Sequence, residues 1–117
     1  SNQGESAIAI GNVAVITGQG DNAIAIGNRA GGFANPQAAT SIVINATGAV
    51  LENTQQDSLV IKPIRNGTMT TILGYDDASG EVTHNAAIPG YISLADLKAL
   101  VAASTDFADY QTRIAAL

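Results

Sequence analysis

Small and large apolar residues alternate in four short stretches of the chain, and these stretches return at nearly constant spacing. Residues 7–11 and 23–27 both read AIAIG, residues 41–45 read SIVIN and residues 58–62 read SLVIK. The offsets between successive copies are 16, 18 and 17 residues. A strict period of two is typical of a β-strand with branched aliphatics on one face and tiny residues on the other. The recurrence predicts a repeat architecture in which neighbouring rungs cover one another.

Turn-forming residues follow the rungs. Gly11-Asn12 follows the first rung and Gly27-Asn28 follows the second. Gly or Asn supplies the left-handed backbone that a sharp corner needs. A second extended piece is predicted to follow, at 13–17 in the first coil. Two strands and two corners in each repeat predict that one repeat forms one coil of a narrow β-roll or β-helix. Asn12 and Asn28 occupy equivalent corners. Their side chains are predicted to stack as an amide ladder, or else Asn occurs there only because it tolerates turns.

The alternating side chains of the rungs predict how the coils pack. We expect the Ile pairs to fill the interior of each coil. We expect the small residues Ala9 and Ala25 to let the backbone of a second chain approach closely. Val43 and Val60 occupy the same place in the later rungs, so packing between subunits is predicted to loosen or change after the second rung.

The region after the third repeat is predicted to be antiparallel. Residues 58–90 contain one predicted strand at 58–64 and another, rich in Thr and β-branched residues, at 68–75. Asn66-Gly67 lies between them and is a good turn pair.

From Ser93 onward the apolar period becomes helical. Ser93 is a predicted N-cap, and Asp96 follows it at the capping-box distance. The cluster at 104–106 favours a new N-cap over a helix interior. The pattern therefore predicts two short helices joined at 103–105, with one continuous helix as the alternative.

The composition points to assembly. Hydrophobic residues make up 46% of the chain and charged residues 13%, about half of the ~25% usual in soluble domains. We therefore expect an obligate oligomer that hides apolar surface between subunits. The net charge of −5 and the scattered basic residues argue against nucleic acid as a partner. No apolar run reaches the ~20 residues that span a bilayer, so no membrane insertion is expected.

The residues that carry chemistry in other proteins form no recognised catalytic motif here. The single histidine, His84, has no nucleophile in a recognised motif to serve, which predicts that the protein is not an enzyme. Asp76, Asp77 and Glu81 lack the alternating carboxylates of a Ca²⁺ loop, so a solvated acidic hairpin is predicted. No cofactor and no metal are expected. Asn45 and Asn66 each begin a glycosylation triplet.

The rungs resemble the head repeats of trimeric autotransporter adhesins, in which three chains each wind a parallel β-roll around a three-fold axis. Residues 6–66 are also similar to fibre-like structural proteins of phages and large algal DNA viruses. The resemblance implies a mainly β fold: homotrimeric parallel β-roll or β-helix repeats, a short antiparallel β section and C-terminal helices. The expected segments are a β-roll repeat region at 1–57, a β-hairpin section at 58–90 and a helical trimerisation segment at 91–117.

The resemblance also implies a structural and attachment function. The protein is expected to be the C-terminal part of a homotrimeric viral fibre or spike at the virion surface, with further copies of itself as partners. Loops 31–40, 52–57 and 76–80 are the expected contacts with a host receptor or glycan. One alternative is the head of a bacterial trimeric adhesin at the cell surface. Others are a trimeric β-helix acyltransferase that uses His84, and self-processing near Asn66-Gly67 or His84-Asn85.

The candidate residues of the trimer core or interface are the large apolar residues of the four rungs and of the two helical stripes. They are Ile8, Ile10, Ile24, Ile26, Ile42, Ile44, Leu59, Ile61, Leu94, Leu97, Val101, Phe107, Tyr110 and Ile114.

Overall fold

The computed structural model describes residues 2–86 and 90–117. The protein divides into two compact units, Ser1–Asn66 and Gly67–Leu117. The first is a parallel β-solenoid of about three turns, and the second contains a β-hairpin and two helices. This architecture confirms the prediction of a mainly β fold with coiled repeats and C-terminal helices.

Six strands build the solenoid, and all of their pairings are parallel. Their bounds are β1 Ile8–Ile10, β2 Ile24–Gly27, β3 Ala30–Gly31, β4 Ile42–Asn45, β5 Leu51–Glu52 and β6 Leu59–Lys62. One sheet has the order β1-β2-β4-β6, and β3 pairs with β5 in a second sheet. Isolated parallel bridges join Gln3 to Gln19 and Gln19 to Gln37. Hydrogen bonds between successive turns thus occur at three places around the coil.

The fourth rung belongs to the solenoid, whereas the sequence pattern placed it in an antiparallel section. β6 pairs in parallel with β4, with Val60 opposite Val43. Val60 packs against the buried core of the solenoid, so burial favours another turn over a hairpin. The boundary between the two compact units falls between residues 66 and 67 of the sequence.

The orientation of the rung side chains is the reverse of the prediction. Ala23, Ala25 and Val43 are fully buried inside the coil. The large residues face outward; Ile10, for example, is 59% exposed. The interior of a coil of 16–18 residues also holds buried amide side chains and Leu51, so the space that remains at the rungs is filled by small aliphatic groups. The expectation that Ile fills the interior while Ala receives a second chain is therefore wrong.

Left-handed backbone recurs at one position in every turn. Ser6, Asn22, Thr40 and Asp57, each two residues before a strand, have φ between 55° and 58°. Their spacing repeats that of the rungs, and a β-branched residue such as Thr40 adopts this conformation only where the surroundings impose it. At the end of β2, Gly27 has φ of 115°, and a Cβ there would overlap the Asn45 carbonyl oxygen. Corners of successive turns thus stack backbone on backbone.

The second unit begins with an antiparallel hairpin. β7 (Ile72–Tyr75) pairs with β8 (Val82–Asn85), so the predicted turn at Asn66-Gly67 joins no paired strands. Asp76 lies in the connection and accepts hydrogen bonds from the N–H groups of Ala78 (2.9 Å) and Ser79 (2.8 Å).

Two helices follow, as the period and the caps predicted. α1 spans Leu94–Ala103 and α2 spans Phe107–Ala115. The Ser93 hydroxyl accepts a hydrogen bond from the N–H of Asp96 at 3.1 Å, and the Asp106 carboxylate caps α2 in the same way at 2.7 Å. Each cap satisfies an N–H group that has no partner within its helix.

Candidate functional site

Two parallel ladders of branched aliphatic side chains run along the outer face of the four-stranded sheet. The register aligns Ile8 with Ile24, Ile42 and Leu59, and it aligns Ile10 with Ile26, Ile44 and Ile61. Neighbouring rungs of such a sheet lie ~4.8 Å apart. The structure therefore brings together all eight candidates from the rungs, and we call this surface the aliphatic face.

The aliphatic face is exposed and almost free of charge. Six of its eight side chains are exposed, while Ile24 and Ile42 are half-buried. Lys62 is the only charged residue in the four strands that form the face. Contiguous exposed apolar surfaces are typical of interaction sites in proteins.

The six helical candidates belong to the second unit and are mostly exposed within it. Leu94, Val101, Phe107 and Ile114 are exposed, and Leu97 and Tyr110 are half-buried. The rings of Phe107 and Tyr110 stack with their centroids 6.5 Å apart. No residue of either helix is buried, so the helical stripes remain available for contact.

Buried amide side chains form a further ladder inside the coil. The Gln19 amide donates to the Gln37 side-chain oxygen at 3.1 Å and to the Ile8 carbonyl, one turn earlier, at 2.7 Å. Gln37 repeats the pattern and donates to the Ile24 carbonyl at 3.0 Å. Asn53 lies at the equivalent place of the next turn and donates to the Ser58 hydroxyl at 2.8 Å.

This stacked ladder lies at Gln19 and Gln37, not at Asn12 and Asn28 where the corners suggested one. The Asn28 amide instead donates to the Gly48 carbonyl at 3.4 Å. The carbonyls of Ile8 and Ile24 receive hydrogen bonds from these buried amides. A buried carbonyl without a donor would be unfavourable, which explains why amides rather than aliphatic groups lie at this side of the interior. The recurrence of Gln19 and Gln37 just before their rungs is the signal in the sequence that predicts the ladder.

One of the expected receptor loops is held by a carboxylate. Glu52 at the end of β5 accepts hydrogen bonds from the N–H groups of Phe33, Ala34 and Asn35, with distances of 3.0 Å to the first and third. The Asn35 side-chain amide donates to the second carboxylate oxygen at 3.1 Å. These bonds, led by those from Asn35, lower the pKa of Glu52 to about 2. Loop 33–36 is exposed, and it is fixed to the next turn of the solenoid.

The hairpin carries the acidic residues and the histidine. Hydrogen bonds from the N–H groups of Ser79 and Ala78 lower the pKa of Asp76. His84 lies on β8 opposite Leu73 and is exposed. Within the described residues, no group of three or more His, Cys, Asp or Glu side chains is arranged to hold a metal ion.

The two glycosylation triplets differ in accessibility. Asn45 is buried and its amide donates to the carbonyls of Asn28 (2.8 Å) and Ala49 (2.6 Å). Asn66 is exposed in a stretch without regular secondary structure. Among residues 2–86 and 90–117, no helix is long and apolar enough to cross a membrane.

Comparison of the whole sequence with protein families, with curated proteins and with solved structures gives no match in any of the three.

Proposed function

We propose that the protein is a structural module of a homotrimeric fibre or spike, in which the aliphatic face forms the contact between subunits. One observation carries this proposal: two ladders of large aliphatic side chains lie outside the coil, while Ala25 and Val43 take the buried positions of the middle rungs. The function is to provide rigidity and trimerisation, with contact to a host receptor or glycan through exposed loops. The proposed location is the virion surface, and a bacterial adhesin head at the cell surface is the alternative.

The geometry of the face favours copies of the same protein as its partner. Equivalent side chains recur at every turn along the solenoid. If subunits run side by side in the same direction, each rung meets the same rung of its neighbours. Each Ile that passes from exposed to buried contributes on the order of 1 kcal/mol, and the repeat multiplies this gain over the stacked rungs.

The helices support assembly by a separate argument. Helices of this length are marginal in isolation, and neither α1 nor α2 buries a residue within the subunit. Contact with equivalent helices of other subunits supplies the missing burial. The apolar residues Leu94, Val101 and Ile114 are the proposed contacts.

The acyltransferase alternative would require a catalytic histidine associated with the coils. His84 lies on the hairpin of the second unit, which favours the structural proposal. Acyl transfer that is abolished by His84→Ala would reverse this preference.

The test is the mass of the particle in solution together with a matched pair of variants. Ile44→Glu places a charge on the aliphatic face, and Val50→Glu places one elsewhere on the same turn of the coil. The two residues are similarly exposed, at 37% and 41%. We expect the wild type and Val50→Glu to sediment as trimers and Ile44→Glu to dissociate, since a charge at a desolvated interface is costly.

A wild-type protein that is a folded monomer at micromolar concentration would contradict the proposal. Equal dissociation of both variants would place the subunit contact on another surface. Far-UV circular dichroism shows whether each variant retains its fold.

A further inference from the structure

The segment between the two compact units contains the only Asn-Gly pair of the sequence, Asn66-Gly67. Residues 63–69 have no regular secondary structure, and all of them are exposed. Among residues 2–86 and 90–117, no hydrogen bond involves the Asn66 carboxamide or the N–H of Gly67. An electrophilic side-chain carbon and a nucleophilic backbone nitrogen therefore lie next to each other, and no hydrogen bond from the described residues restrains either group.

We propose that Asn66 is a site of spontaneous covalent modification, at which its carboxamide forms a ring with the following backbone nitrogen. The deprotonated backbone nitrogen of Gly67 attacks Cγ of Asn66, a new C–N bond forms, and the bond between Cγ and the carboxamide nitrogen breaks with release of ammonia. Water then opens the resulting succinimide at either carbonyl. The products are isoaspartate and aspartate at position 66, and water is the only co-reactant.

The absence of a side chain on Gly67 matters for the attack. Gly has no Cβ to shield its nitrogen, and it lets the backbone reach conformations that other residues disfavour. An exposed segment with few contacts also samples such conformations often. The carboxamide of Asn45, which is buried in the solenoid, has neither freedom.

Asn45 shows what prevents the reaction elsewhere. Its carboxamide nitrogen donates two hydrogen bonds, and its oxygen accepts two from Thr47. The N–H of the next residue, Ala46, donates to the Lys62 carbonyl at 2.8 Å. Both reaction partners are therefore immobilised by the fold.

The modification changes the connection between the units. Isoaspartate adds a methylene group to the backbone path and a carboxylate near Arg65 in sequence. Both changes fall at the junction of the two units, so the solenoid and the helices keep their own hydrogen bonds.

The test incubates the intact protein under warm, mildly alkaline conditions and follows position 66 by peptide mapping and enzymatic isoaspartate methylation. Conversion at Asn66 should rise with time and with pH. Gly67→Ala should slow it by roughly tenfold or more, because the added Cβ shields the nitrogen. Circular dichroism verifies that this variant is folded.

A second variant separates sequence from structure. Ala46→Gly creates an Asn-Gly pair inside the solenoid, and we expect its Asn45 to stay unmodified in the folded protein but to convert in denaturant. Conversion of Asn45 in the folded protein as fast as Asn66 would overturn the structural argument. Two outcomes would overturn the proposed modification itself. One is an Asn66 that stays unmodified in the protein while a free peptide of residues 60–72 converts. The other is cleavage of the backbone after Asn66.

Discussion

At the scale of single residues, Glu52 shows how one side chain fixes a loop to the neighbouring turn of the coil. Its carboxylate accepts hydrogen bonds from three consecutive backbone N–H groups and one amide. The bonds are charge-assisted, which makes them stronger than those between neutral groups. The pKa of Glu52 falls from 4.5 to about 2 because these donors stabilise the ionised form.

The lowered pKa predicts a stability that depends on pH. The folded-state pKa lies below the unfolded value, so the contribution of Glu52 is fully present above pH ~4.5 and is lost as the pH falls toward ~2. We expect Glu52→Gln to lower the thermal unfolding midpoint at neutral pH. The difference from the wild type should shrink between pH ~4.5 and ~2, as thermal melts at several pH values will measure.

Glu5→Gln is the control for this prediction. Glu5 lies in the same unit, and its carboxylate makes none of the contacts that hold loop 33–35. A midpoint shift of equal size in both variants would show that loss of charge alone, rather than the loop contacts, is responsible.

At the scale of elements, the coil is held by ladders of two kinds that have different roles. Backbone pairing along β1-β2-β4-β6 fixes the register of the turns. The amide ladder supplies donors to strand carbonyls inside the coil. Within the described residues the buried Gln19 side-chain oxygen has no hydrogen-bond partner. Gln37 both accepts from Gln19 and donates to the Ile24 carbonyl, so it is the position of the network at which a substitution breaks most bonds.

Gln37→Leu tests the amide ladder. The change keeps an interior side chain of similar size but removes the donor to Ile24 and the acceptor for Gln19. We expect a loss of about 3 kcal/mol in the free energy of unfolding, because buried polar groups lose their partners. Urea denaturation measures this loss.

Gln55→Leu is the matched control, because Gln55 is exposed in the connector after the ladder position of its turn. It should change the free energy of unfolding by less than ~0.5 kcal/mol. Equal losses in both variants would mean that the buried amides contribute no more than surface ones.

At the scale of the whole molecule, two units are joined by an exposed irregular segment. Arg65 lies in that segment, whereas Arg29 lies in a corner of the coil. The backbone N–H of Arg29 donates to the Asn12 carbonyl, and the Arg29 carbonyl accepts from the N–H of Leu51. Proteolysis requires local opening of the backbone. We therefore expect limited trypsin digestion to cut after Arg65 well before it cuts after Arg29, with mass spectrometry of the time course as the measurement. Early cleavage at Arg29 would mean that the corner opens as readily as the segment.

The repeat, its spacing, the rung strands and the helix caps can be predicted from the amino-acid sequence. The extended piece predicted at 13–17 is wrong, because no strand forms there and Val13 and Val15 have left-handed backbone, with φ of 59° and 54°. These features follow from local rules: a period of two for strands, and a polar residue before a helical stripe. Both Ser93 and Asp106 cap helices as the sequence indicates. The position of the fourth rung does not follow from such rules, because β6 has the same local pattern whether it pairs in parallel or in a hairpin.

Which face of each rung lies inside depends on the tertiary structure. A period of two separates small from large side chains but does not say which set is buried. Closure of the coil around Gln19, Gln37 and Leu51 leaves space for the smaller Ala25 and Val43 at the rungs. Ile10 and its equivalents therefore lie outside, and the exposed aliphatic face on which the proposed assembly depends is a consequence of coil width.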